Sequence, residues 1–88
     1  MNVPKAVSIS KARLAALYGS RLRKLVLFGS WARGTASRDS DVDIAVVLDG
    51  PVKPGREIDR MMDVIHEINL ACNTLISVYP VSLDDFDH

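Results

Sequence analysis

Eighty-eight residues suffice for one small domain, residues 1–88 with a core over about 11–86, and leave no room for a second. A 48% share of hydrophobic residues allows a single thin core, of the kind that often gains stability from a partner or a second copy. Eleven basic residues balance eleven acidic ones, and zero net charge argues against strong non-specific binding to nucleic acid.

"SKARLAALY", residues 10–18, reads as a first helix with Ser10 as its N-cap and Leu14, Leu17 and Tyr18 on one face. Gly19 and Ser20 end it. "KLVLF", residues 24–28, is a short continuous apolar run and fits a central buried strand. The glycine, serine and threonine content of "GSWARGTASRDS" says loop, with room for one helical turn over residues 30–33.

"DVDIAVVL", residues 41–48, is rich in branched residues and reads as a second strand. Alternation puts Asp41, Asp43, Ala45 and Val47 on one face and Val42, Ile44, Val46 and Leu48 on the other. After the loop "DGPVKPG", the positions Ile58, Met61, Met62, Ile65 and Ile68 recur at helical spacing from Arg56 to about Ala71. They mark an amphipathic helix packed on a sheet. "TLISVYPV" is a third strand, and "SLDDF" opens another helix with Ser82 as cap. The chain stops there, in a truncated element or a very short tail.

The link between the first two strands is too short for a crossover, so they should be antiparallel neighbours. The helix between the second and third allows a parallel crossover. The expected fold is therefore a small α/β (α+β) domain, a mixed sheet with helices packed on one face.

The charges are segregated. Residues 1–38 carry eight Lys or Arg and no acid, while residues 39–88 carry all eleven acids against three bases. Such asymmetry marks a phosphate-facing side or partner surface, or else two halves that pair with each other. One cysteine, Cys72, excludes an internal disulfide framework and fits a reducing cytoplasm. "MNVPKAVSIS" lacks the apolar run of a signal peptide, and no stretch of about 18 apolar residues occurs. The expectation is a soluble cytoplasmic protein without a membrane anchor.

Two carboxylates at i and i+2 on a strand point the same way, with Cα atoms about 6.5–7 Å apart. Asp41 and Asp43 would repel unless a cation lay between them. Mg²⁺ suits the place, since it takes oxygen ligands and is commonly held by one or two carboxylates plus substrate phosphates. If the first strands are antiparallel, Gly29 and Ser30 lie beside the aspartates. Gly29 lets a phosphate approach the backbone, and Ser30 offers N–H and hydroxyl donors. Alone, a glycine-serine pair is usually a turn and "DVD" a strand entrance. Together, in strand–loop–strand context, they point to transfer of a nucleoside phosphate.

Gly29-Ser30, ten residues, then Asp41-Val42-Asp43 resembles the signature of the polymerase-beta-like nucleotidyltransferases. "GSWARG" followed by "SDVD" is similar to its minimal branch, of antitoxin type, over about Lys11 to Phe86. The resemblance implies a nucleotidyltransferase fold with nucleotide contacts from Gly29, Ser30, Arg33 and Ser40. It also implies metal and catalytic roles for Asp41 and Asp43, with Mg²⁺ or Mn²⁺ as cofactor and ATP or another nucleoside triphosphate as substrate. The implied partner is a helical toxin of the HEPN type, to which AMP would be transferred on a tyrosine; a homodimer is the other association.

One departure stands out. Active members usually carry a third carboxylate on the next strand, whereas "LISVY" holds none, and Ser77 is the expected occupant of that place. Asp84, Asp85 and Asp87 come later, as acids in the first turn of a helix. A non-catalytic module that holds nucleotide or docks on a partner is therefore the alternative, and an RNA-extending enzyme a weaker third.

Arg33 reaches a triphosphate or pairs with Asp39 or Asp41. Trp31 is a packing residue or lid before it is a stacking platform. His66 belongs to the surface, Met61 and Met62 to the core, and Cys72 to the structure. Arg21, Arg23 and Lys24 read as a solvated basic face.

Overall fold

The computed structural model describes residues 3–36 and 41–88. In chain order it contains α1 (Val3–Tyr18), a single 3-10 turn, β1 (Leu22–Phe28), α2 (Gly29–Arg33), β2 (Val42–Leu48), α3 (Pro54–Cys72), β3 (Ile76–Ser82) and α4 (Leu83–Asp87). The strands form one sheet in the order β1-β2-β3. β1 runs antiparallel to β2, and β3 runs parallel to β2. This is the mixed sheet expected from the linker lengths.

Register decides which residues face the core. Val42, Ile44, Val46 and Leu48 are fully buried against Leu14, Met61, Ile65 and Ile68, so α1 and α3 cover that face. Pairing adds Leu25 and Leu27 from β1 and Ile76 and Val78 from β3 to the same side. Near the start of β1 the register shifts between Leu22 and Lys24. The extra residue there lets Leu22 reach the core while Lys24 turns to the opposite face.

That opposite face carries three rows: Phe28, Asp43 and Ser77; Val26, Ala45 and Tyr79; Lys24, Val47 and Val81. α4 closes only its far end. The Lys24 ammonium lies 5.3 Å from the Phe86 ring centre, and Val47 beside it is fully buried. Ser82 caps α4 as expected, accepting the Asp85 amide at 3.1 Å.

Several expectations change. α1 begins at Val3, not Ser10. Ser10 is buried inside the helix, where its hydroxyl donates to the Ala6 carbonyl at 2.7 Å; a serine that bonds four residues back needs no cap position. Leu17 is exposed, since the inward stripe of α1 runs Val3, Ala6, Ser10, Leu14 and Tyr18. Met62 is 53% exposed, because the buried stripe of α3 runs Glu57, Met61, Ile65, Ile68, Cys72 and leaves position 62 one step round the helix. Met61 and Cys72 are buried and His66 is exposed.

Glu57 on that stripe is an unexpected buried acid, 3% exposed. It accepts the Tyr18 hydroxyl at 2.9 Å and the Arg21 guanidinium at 3.2 Å. Arg21 also donates to the carbonyls of Asp49 and Pro51, at 3.0 and 2.6 Å. Arg21 is thus no solvated cation: it ties the end of α1, the loop after β2 and the first turn of α3. Burial, the hydrogen bond to Glu57 and the Glu57 charge push the Tyr18 hydroxyl pKa up to about 12.

The basic and acidic parts of the chain do pair with each other. Arg13–Glu67 at 2.8 Å, Arg21–Glu57 at 3.2 Å and Arg23–Asp49 at 4.0 Å each join one to the other. The exposed pairs contribute little to stability. No helix among the described residues is long and apolar enough to cross a membrane.

Candidate active site

The site lies where β1 ends and β2 begins, on the face that α1 and α3 leave open. β1 finishes at Phe28, and the chain turns at once into α2 through Gly29, whose φ of +73° favours glycine. The antiparallel register sets Phe28 opposite Asp43. A Cβ on Gly29 would overlap Asp43 Oδ2, so the absence of a side chain there is what lets the carboxylate approach the loop. Ser30 follows in α2, which closes at Gly34, also left-handed with φ +74°. The Thr35 amide donates to the Ser30 carbonyl at 3.0 Å and completes the turn.

Asp41 stands exposed immediately before β2, and Asp43 is half-buried within it. Alternation gives both the open face. The parallel ladder puts Ser77 directly beside Asp43, the place that sequence reasoning gave it. Among the described residues, no group of three or more His, Cys, Asp or Glu side chains gathers to hold a metal. The oxygen-bearing side chains of Asp41, Asp43 and Ser77 share this open face.

The register that aligns Ser77 with Asp43 has a local cause. Asn69 Oδ1, near the end of α3, accepts both the Thr74 hydroxyl at 3.1 Å and the Ile76 amide at 2.8 Å. Asn73 ends α3 in a left-handed conformation, φ +53°. The Leu75 carbonyl then receives the Val42 amide at 2.8 Å. These contacts fix where β3 starts, and so which of its residues meets Asp43.

Sequence reasoning missed Tyr79. Its hydroxyl donates to Asp43 Oδ1 at 3.3 Å, and its ring meets Phe28 edge-on with centres 5.1 Å apart. The small Ala45 between them on β2 leaves room for the two rings to meet. The Asp43 charge, with a smaller contribution from Asp41, raises the Tyr79 pKa, so the hydroxyl stays a donor. Tyr79 stands two residues after Ser77 on the same face, which alternation along "ISVYPV" could have shown.

Of the other expected contacts, Arg33 is exposed at the end of α2. Trp31 is partly buried against the core, which favours packing over stacking. Ser40 and Asp39 lie outside the described residues.

A nucleotidyltransferase domain family model matches residues 7–79. Two proteins of Methanocaldococcus jannaschii are similar in sequence. "Putative protein adenylyltransferase MJ0604" is 43% identical over 49 residues, 56% of this chain and 49% of that protein. "Putative protein adenylyltransferase MJ1305" is 49% identical over 43 residues, 49% of this chain and 28% of that protein. The aligned segments therefore span about half or less of these curated relatives. No solved structure is significantly similar.

Proposed function

This chain belongs to the nucleotidyltransferase domain family, and from that premise we propose that it transfers AMP from ATP to a protein hydroxyl at the Asp41–Asp43 site. The observation that carries this reading is the fit of the Asp43 carboxylate against the bare backbone of Gly29. It creates an anionic pair facing a loop with N–H and hydroxyl donors, the combination that a metal-bound triphosphate requires. The names of the two relatives support the choice of AMP and of a protein acceptor.

The donor set suits one Mg²⁺ or Mn²⁺: two carboxylates, with phosphate oxygens and water completing the shell. Bound there, the cation would supply charge neutralisation on the triphosphate. Asp41 and Asp43 would hold it, and Ser30, with the backbone at Gly29, would orient the phosphates. Arg33 and Ser40 are assigned to the same nucleotide by resemblance.

The acceptor proposed is a tyrosine of a HEPN-type helical toxin, with this chain as the antitoxin. Leu70, Leu75 and Met62 are exposed apolar residues that such a partner, or a second copy, would cover. Incubation of the purified pair with Mg²⁺ and ATP should add AMP to the partner, read by intact mass. Nucleotide binding without any transfer, with the partner present, would favour a second reading: a nucleotide-holding module that acts by docking. Ser77 in place of a third acid beside Asp43 is the observation behind that alternative.

A further inference from the structure

We propose that Tyr79 is itself an acceptor, so that the domain adenylylates its own open face. The inference rests on the nucleotidyl-transfer reading above and adds a modification site within this chain. A group that accepts a nucleotide here must bring a hydroxyl to the carboxylates and must be reachable from solvent. Tyr79 does both. Its hydroxyl donates to Asp43 Oδ1 at 3.3 Å, which sets the acceptor oxygen beside the carboxylate proposed to hold the cation and triphosphate. The side chain is nevertheless 48% exposed, so a nucleotide can approach it.

The two oxygens of Asp43 face different neighbours. Oδ2 lies in the space beside Gly29, toward the phosphate loop, while Oδ1 accepts from Tyr79. A triphosphate seated at Gly29 and Ser30 would therefore share one carboxylate with the tyrosine hydroxyl. The edge contact with Phe28 restrains the ring, and β3 is held in register by Asn69. The acceptor is thus fixed in the same rigid sheet as the aspartates, which removes the entropy cost of bringing in a separate one.

In the transfer, the Tyr79 oxygen forms a bond to the α-phosphorus of ATP as the bond from that phosphorus to the bridging α,β-oxygen breaks. Pyrophosphate leaves with the electron pair, and the tyrosine proton passes to water at the exposed hydroxyl. The product is a phosphodiester between Tyr79 and AMP, standing over Asp43. Tyr79 offers a single hydroxyl, so this self-modification should stop at one nucleotide per chain.

The test uses the full chain with ATP and Mg²⁺ or Mn²⁺, followed by intact mass and fragment mapping. The expected result is a gain of one AMP on Tyr79, absent in Tyr79→Phe and in Asp43→Asn. Thermal shift with α,β-methylene-ATP, which cannot transfer AMP, reads binding independently and should be retained in Tyr79→Phe. Binding with no AMP on Tyr79, or with AMP only on another residue, overturns this inference and leaves the transferase reading standing. No binding by the wild-type chain overturns both. Should Tyr79→Phe fail to fold, fragment mapping of the wild-type product still decides the matter.

Discussion

The Asp43 carboxylate fills the space in which a side chain on Gly29 would have to stand. The relationship joins two residues fourteen positions apart in sequence and makes the turn after β1 part of the site. A left-handed backbone at Gly29 adds a second reason for glycine.

Gly29→Ala should consequently do two things. The left-handed conformation should cost about 1–2 kcal/mol of stability for an L-residue, and the methyl group should displace Asp43. Thermal denaturation with and without Mn²⁺ and ATP measures both. A stable variant that keeps its full ligand-dependent shift would show that the close approach is unnecessary.

Asn69 provides a test of how the site is aligned. Asn69→Ala removes the acceptor for Thr74 and for the Ile76 amide, and should destabilise the fold by about 1–3 kcal/mol. Urea denaturation reads the loss. AMP transfer to Tyr79 should fall too, since the place of Tyr79 depends on where β3 begins. Unchanged stability would mean that β3 is placed by the sheet alone.

The Tyr18–Glu57 contact predicts behaviour in alkali. The Tyr18 pKa is raised from 10.0 to about 12, so the folded chain retains a proton that the unfolded chain loses. Its stabilising contribution is complete below pH 10 and disappears as pH rises toward 12. The total is on the order of 2 kcal/mol. Tyr18→Phe should flatten this part of the stability profile. A wild-type profile with no fall across that window would contradict the assignment.

Strand order and direction were legible because linker length and apolar runs determine them here. Asp41 and Asp43 were placed on one side by alternation and Ser77 near them by the family resemblance, and the register puts Asp43 beside Ser77. The buried network around Glu57 was not legible: its partners Tyr18 and Arg21 lie in another part of the chain, and an acid on an apolar stripe looks like a solvated residue. The first two turns of α1 were missed for a related reason. Val3 and Ala6 are buried by tertiary packing, while the local pattern around Ser10 imitates a cap. Tyr79 was not legible because its hydroxyl meets Asp43 only through the diagonal of a parallel ladder.

Ser77 offers a gain-of-function test. It stands beside Asp43 where a carboxylate would help take the acceptor's proton. Ser77→Asp should raise AMP transfer to an added partner on the order of a hundredfold, while nucleotide binding changes little. Initial rates with radiolabelled ATP measure this. A rate unchanged or lowered, with binding intact, would show that Ser77 does not occupy that position.

Calorimetric titration of ATP with Mn²⁺ into the wild-type chain and into Asp43→Asn tests the central claim most directly. Asparagine keeps the shape and still accepts from Tyr79, but lacks the charge that holds a cation. The account predicts saturable, metal-dependent binding at one site in the wild type and its loss in the variant. Equal binding by both proteins would contradict the assignment of Asp43, and with it the site.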